Sequence, residues 1–137
     1  MTACSAGDSS IKDGYYTAEA AEFDAYGWKE YVTICVSGGR IIFIEYNAFD
    51  PTGFVKSWDM NYMRVMNAIH RTYPNAYTRH YGTQFLSRQG TGEIIPLSGA
   101  SRSYESFIRL ADAALENAQQ GNVETRLVHF GNGNNTR

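Results

Sequence analysis

A glycine and four serines crowd the start of a helical pattern in PLSGASRSYESF, residues 96–107. The first four amides of any helix lack an internal partner and carry in aggregate about half a positive charge. Two kinds of chemistry suit such a place. One is capping, in which one serine hydroxyl accepts from an early amide and the others are loop polarity. The other is a phosphate seat. Gly99 lets the backbone approach a ligand closely and Ala100 adds little bulk. Hydroxyls from Ser98, Ser101 and Ser103 could complete an oxygen cage, and Arg102 offers a charge-assisted bond. Tyr104 lies one turn along. The residues alone leave both readings open.

Other chemistries find less support. His70, His80 and His129 show no ligand spacing and have no Cys or acidic partner in pattern. Glu45 and Asp50 do not make an acid–base pair, and no nucleophile stands at recognisable spacing from a base. Residues 98–101 are not the Gly-x-Ser-x-Gly elbow of a hydrolase. A net charge of −2 supplies no basic surplus for nucleic acid, so no nucleic-acid partner is expected. No stretch approaches the roughly 20 apolar residues of a membrane span.

The elements that must position the serines can be read from periodicity. A chain of 137 residues suits one domain. Residues 15–23 alternate loosely as a strand. Residues 28–36 alternate more strongly, with Val32, Ile34 and Val36 on one face and Cys35 as a small buried hydrophobe. Ser37-Gly38-Gly39 signals a hairpin, and residues 40–49 return, with Ile42, Ile44 and Tyr46 on one face and Ile41 and Phe43 on the other. That strand is apolar on both faces at its start, which predicts packing against each. A helix follows Ser57, with Trp58, Tyr62, Val65, Met66 and Ile69 in its stripe and Pro74 as its stop. Tyr77, Tyr81, Phe85 and Leu86 suggest a second, short helix. Residues 103–120 form the clearest helix, stopped by Gly121 and ending in solvent-suited Asn117, Gln119 and Gln120. Residues 123–130 suggest a last short strand. The expected fold class is α+β, an antiparallel sheet with a central hairpin packed by two or three helices.

The start of the chain, MTACS, places small residues before Cys4, as at a bacterial lipoprotein cleavage site, without the apolar segment that should precede it. This predicts lipidation at Cys4. Residues 1–13 are then a flexible tether, 14–130 the folded domain and 131–137 a frayed tail.

The string Leu97-Ser98-Gly99-Ala100-Ser101-Arg102-Ser103-Tyr104-Glu105-Ser106-Phe107 resembles the Ser-Gly-Ala-Thr segment of the FMN-binding domain family. That family includes flavoprotein subunits of sodium-pumping quinone reductases and related small bacterial lipoproteins. Asp13 to Glu19 is similar to the family's opening strand. Tyr26-Gly27-Trp28-Lys29 and Val32 to Ile41 are similar to its hairpin, so the resemblance spans about residues 13–118. It implies an extracytoplasmic, membrane-anchored electron carrier of the bacterial cell envelope rather than an enzyme with its own substrate. The cofactor it implies is FMN, with Ser98, Gly99, Ala100, Ser101, Ser103 and Tyr104 as its binding residues. Its isoalloxazine ring would want aromatic or apolar walls, and the family places the helix of Trp58 and Tyr62 near the flavin side of the sheet; core packing is the competing role of these two and of Tyr104. Implied partners are a redox protein or quinone-linked system at the membrane and, for covalent attachment, a flavin transferase. In the family the FMN phosphate is often esterified to the threonine of the motif. Here that position is Ser101, whose hydroxyl can form the same ester. The aspartate that the transferase motif carries six residues earlier is Ile95 here, and its side chain can neither accept a hydrogen bond nor bind a metal. The alternative reading is a flavin-free envelope lipoprotein domain that binds a protein or small ligand.

Overall fold

The computed structural model describes residues 10–98 and 100–130, with Ser101 through its backbone alone. Cys4, most of the expected tether, Gly99 and the 131–137 tail therefore lie outside the described residues.

Alternation builds a four-stranded sheet in the order β3-β2-β1-β4. Strand β1 (Gly14–Ala20) buries Tyr16, Ala18 and Ala20, and β2 (Lys29–Ser37) buries Val32, Ile34 and Val36. A turn at Gly38 and Gly39, both at positive φ, returns the chain as β3 (Arg40–Phe49). The β1–β2 and β2–β3 pairings are antiparallel, as the hairpin pattern requires. The last strand, β4 (Arg126–Val128), pairs parallel with β1, so the sheet is mixed. The α+β class and the central hairpin stand.

Of three helices, the second and third pack on the sheet and the first packs against the second. Helix α1 (Met60–His70) is capped by Asp59, whose side chain accepts from the Tyr62 amide, so Asp59 and not Ser57 starts it. Its expected stripe is largely in solvent: Met63 is its buried residue, while Val65 and Ile69 are exposed. Pro74 opens the next helix instead of merely ending this one. At N1 its missing N–H is no loss, and α2 (Pro74–Arg88) runs longer than the four aromatic and leucine positions suggest. Helix α3 (Ser101–Gln120) begins one half-turn before its apolar stripe and ends at Gly121 in the left-handed region. Asn117 is buried, not solvated. Its amide donates to the Glu124 carbonyl and accepts from Arg126, tying the helix end to the approach to β4.

Phe107 holds the layers together. Fully buried, it stacks on Tyr81 at 5.7 Å and meets Tyr46 at 5.1 Å and Phe85 at 5.9 Å between ring centroids. One side chain of α3 thereby touches α2 and β3. Burying an aromatic of this size removes roughly 150–250 Å² from water, which makes it a large share of a small core.

The start of β3 departs from simple alternation. The register shifts between Cys35 and Val36, where Val36 faces Ile41 and Cys35 faces Phe43. Ile42 is the extra residue of a β-bulge. Ile41 is therefore turned to the core with Tyr46, and Ile42 and Phe43 are left 57% and 49% exposed. Nothing among the described residues packs against this second face. Cys35, on that face, is half-buried rather than buried.

Candidate functional site

The serine cluster sits at the mouth of α3, but the N-cap residue is not one of its serines. It is Ala100, which has no side-chain acceptor, and among the described residues no side-chain cap bond closes the first turn. An alanine in this place costs about 1 kcal/mol against a serine or aspartate. The mouth is nonetheless held firmly from outside. The Tyr81 hydroxyl donates to the Ala100 carbonyl at 3.1 Å and accepts from the Leu97 amide at 3.0 Å. The Ala100 amide closes a turn onto the Leu97 carbonyl at 3.0 Å. Tyr81 is itself fixed by Phe107 and, edge-on at 5.9 Å, by Tyr104.

The six expected binding residues divide. Ser98 is exposed in the turn, Ala100 is buried, and Tyr104 is half-buried against Tyr81. Gly99 and the Ser101 side chain lie outside the described residues. Ser103 is buried beside Tyr77, and its carbonyl accepts from the Tyr46 hydroxyl at 3.1 Å. Half-buried Ser106 lies near Glu30 and helps hold its carboxyl down. These two serines join the mouth to a polar recess that the sequence reading missed.

That recess, about 10 Å³, is lined by Glu30, Tyr46, Asn47, Lys56, Tyr77 and Thr78 among others. Lys56 is 8% exposed. Its ammonium lies 5.1 Å from the Tyr62 ring centroid and 5.5 Å from that of Trp28, and it has no hydrogen-bonding or ion-pair partner among the described residues. Ring faces meet this buried charge directly, and the carboxyls of Glu30 and Asp24 act on it from further away. Local bonds put it there. Asp50 accepts from the amides of Thr52 and Phe54 and so shapes the approach to a short 3-10 turn, Lys56–Trp58. Asn47 and Asn75 donate to the hydroxyl and carbonyl of Ser57 and pin that turn to β3 and α2. Asp24 accepts from the amides of Tyr26 and Trp28 and sets the second ring. Trp28 and Tyr62 also touch each other at 6.1 Å. Trp58, by contrast, is exposed and packs edge-on against Phe54.

Burial decides the local acid–base state. It pushes the Glu30 carboxyl above the usual carboxylate range, opposed by the Lys56 charge and by bonds from Ser106 and Tyr46. It draws Lys56 below the usual lysine range, opposed by the charges of Glu30 and Asp24. The phenols of Tyr46 and Tyr77 are raised, both chiefly by burial. Because the Glu30 carboxyl sits above its reference value of 4.5, native protein holds a proton there that the unfolded chain has released. Stability from this group is therefore lost as pH rises from that reference value through the folded value. In Glu30→Gln this loss is absent. Urea melts of the two proteins between about pH 4 and about pH 7 should show the variant gaining relative stability as pH rises. A stability difference that stays flat with pH would refute this.

A larger open groove, about 380 Å³, lies elsewhere, between α3 and β4. It is lined by Arg109, Asp112, Glu116 and Arg126 among others, and Arg126 and Glu116 pair across it at 2.9 Å. No metal-holding cluster and no helix long and apolar enough to cross a membrane occurs among the described residues.

No family profile matches the chain. Individual proteins do. The 15 kDa lipoprotein of Treponema pallidum (strain Nichols) is 34% identical over 116 residues, covering 85% of this chain and 82% of that protein. The chain belongs to the family of that lipoprotein. Two solved structures share the fold of this family member. A crystal structure of a Clostridium perfringens protein has a TM-score of 0.83 at 33% identity, covering 88% of this chain and 99% of the other. A solution structure from Clostridium thermocellum has a TM-score of 0.56 at 30% identity, covering 79% and 92%. In this member of the family, the α3 mouth with its alanine cap and the Lys56 recess are features with chemistry to offer.

Proposed function

We propose that the chain is an extracytoplasmic electron-carrying domain, anchored by a lipid on Cys4, that binds FMN at the mouth of α3. The observation that carries this reading is the mouth itself: a first helical turn capped only by Ala100, entered through Ser98-Gly99-Ala100 and braced by Tyr81. Uncapped amides with the positive end of a 20-residue helix behind them suit a phosphate. The anchor draws support from the family relative, which is named a lipoprotein.

The residues present fit an FMN in two respects. The amides at the start of α3 have no side-chain acceptor at the cap, and the buried Lys56 ammonium makes no direct ion pair among the described residues. Ser101 holds the phosphate, by hydrogen bond or by ester. Ser98 contacts it from the solvent side, and Tyr104 flanks it. Ser103 serves from behind, through Tyr77 and Tyr46, by fixing the first turn. When bound, the isoalloxazine supplies the redox chemistry, and the protein supplies position and electrostatics. A redox protein or quinone-linked system at the membrane would be the exchange partner, with a flavin transferase needed for an ester.

In envelope-derived protein, Ser101→Ala removes any covalent adduct completely, read as intact mass. An adduct of unchanged mass in the variant would rule out Ser101 as the attachment point. The flavin-free alternative draws on a separate observation. Trp58, Met60, Val65 and Ile69 on and before α1 are exposed together, a surface suited to a protein partner.

A further inference from the structure

The bulged start of β3 leaves apolar side chains in water at one end of the domain. Tyr15, Cys35 and Phe43 stand in register across three strands on the sheet face away from the helices. Tyr15 is 68% exposed, and Ile42, thrown out by the bulge, lies beside them. The same end carries exposed Lys12 and Arg40. Exposed Arg88 belongs to it too, because the next residue, Gln89, exchanges both its amide bonds with the backbone of Ile41. Of the acids nearby, Asp13 is occupied by the Gly39 amide at 3.0 Å and Glu45 by the Tyr31 hydroxyl at 2.9 Å. The chain enters the domain here. Ile11 packs on the core, and the Lys12 amide donates to the Ala118 carbonyl at the far end of α3 from its mouth.

We propose that this end is a membrane-contact face, on which the domain rests against an anionic bilayer. The inference rests on the Cys4 anchor of the preceding reading. Cys4 and Ser10 are six residues apart, so a lipid at Cys4 keeps the domain's entry point within about 20 Å of the bilayer surface. At that range, exposed Tyr15, Ile42 and Phe43 bury apolar area in the interface, and Lys12, Arg40 and Arg88 meet acidic headgroups. The mouth of α3 then points away from the membrane, about 30 Å off along the nine residues of β2.

Both tryptophans, Trp28 and Trp58, lie at the α3-mouth end, which makes tryptophan emission a depth gauge. The full chain, tethered through an N-terminal polyhistidine tag to nickel-chelating vesicles of phosphatidylcholine and phosphatidylglycerol, carries either its own tryptophans or Phe43→Trp in addition. With brominated acyl chains, the emission added by Phe43→Trp should fall by about two-fold or more while that of the native pair holds. Adding Ile42→Asp, at an exposed position where melting temperature should not change, should restore the added emission, as should replacing phosphatidylglycerol by phosphatidylcholine. Unquenched Phe43→Trp, whether the protein is monomeric or self-associated by sedimentation, overturns the proposal. So does quenching of the native pair, which would place the opposite end on the membrane. The tag stands in for the lipid, so this result is independent of lipidation. Intact mass of envelope-derived protein tests the Cys4 anchor by itself.

Discussion

Phe107→Ala lowers the stability of the domain by about 3–5 kcal/mol. The ring is fully buried and meets Tyr46, Tyr81 and Phe85, so its removal takes away transfer energy and leaves a cavity at the junction of α2, α3 and β3. The cavity cannot close easily. Tyr81 is tied to the α3 mouth through two hydrogen bonds, and Tyr46 to Ser103 and Glu30. Either ring could fill the space only by breaking those bonds. A small domain has roughly 5–15 kcal/mol in total, so the variant should be partly unfolded near physiological temperature. Urea denaturation at pH 7 checks it. A loss under about 1 kcal/mol would mean that the ring is far less central than its contacts indicate.

Tyr81→Phe is the second large effect, and it separates bracing from packing. The ring remains, with its stack on Phe107 and its edge contact with Tyr104. Only the hydroxyl goes, and with it the donor to Ala100 and the acceptor for Leu97. The Leu97 amide loses its partner, and the Ala100 carbonyl keeps only the Tyr104 amide, which costs about 1–3 kcal/mol. The damage is local as well as global. Amide exchange at Leu97 and through the first turn of α3 should quicken more than exchange in β2. Uniform quickening would show that the hydroxyl serves general stability and does not hold the mouth in shape.

Much of the fold was legible because it follows from local rules. The β2–β3 hairpin needs a glycine turn between alternating strands, and the sequence supplies Gly38 and Gly39 at positive φ. Helix α3 announces itself by its stripe and by Gly121. Two features escaped, each because distant contacts decide them. Pro74 reads as a stop for α1, but it also fits N1 of α2, and only the packing of Tyr77, Tyr81 and Phe85 shows how far that helix runs. The bulge at Ile42 moves Ile41 into the core, a choice made by register with β2 and by Gln89, 48 residues away in sequence. The same holds at the site. The serine-rich mouth was visible, but its alanine cap was not, and Ser103 turned inward to Tyr77 instead of outward. Lys56 reads as an ordinary surface lysine next to Ser57. Its burial comes from Trp28, Tyr62 and Tyr77, which three separate segments bring to it. The only local hint was a lysine set among Phe54, Val55 and Trp58.

The most direct test of the central claim is an absorbance spectrum and an intact mass on the protein taken from its own envelope, before and after denaturation. The account predicts a flavin band, with a mass gain of one FMN less water if Ser101 carries the ester, or a band lost on denaturation if the phosphate is only seated at the mouth of α3. Protein with no flavin band and no added FMN mass would contradict it, and would leave the Ala100-capped turn without the ligand proposed for it.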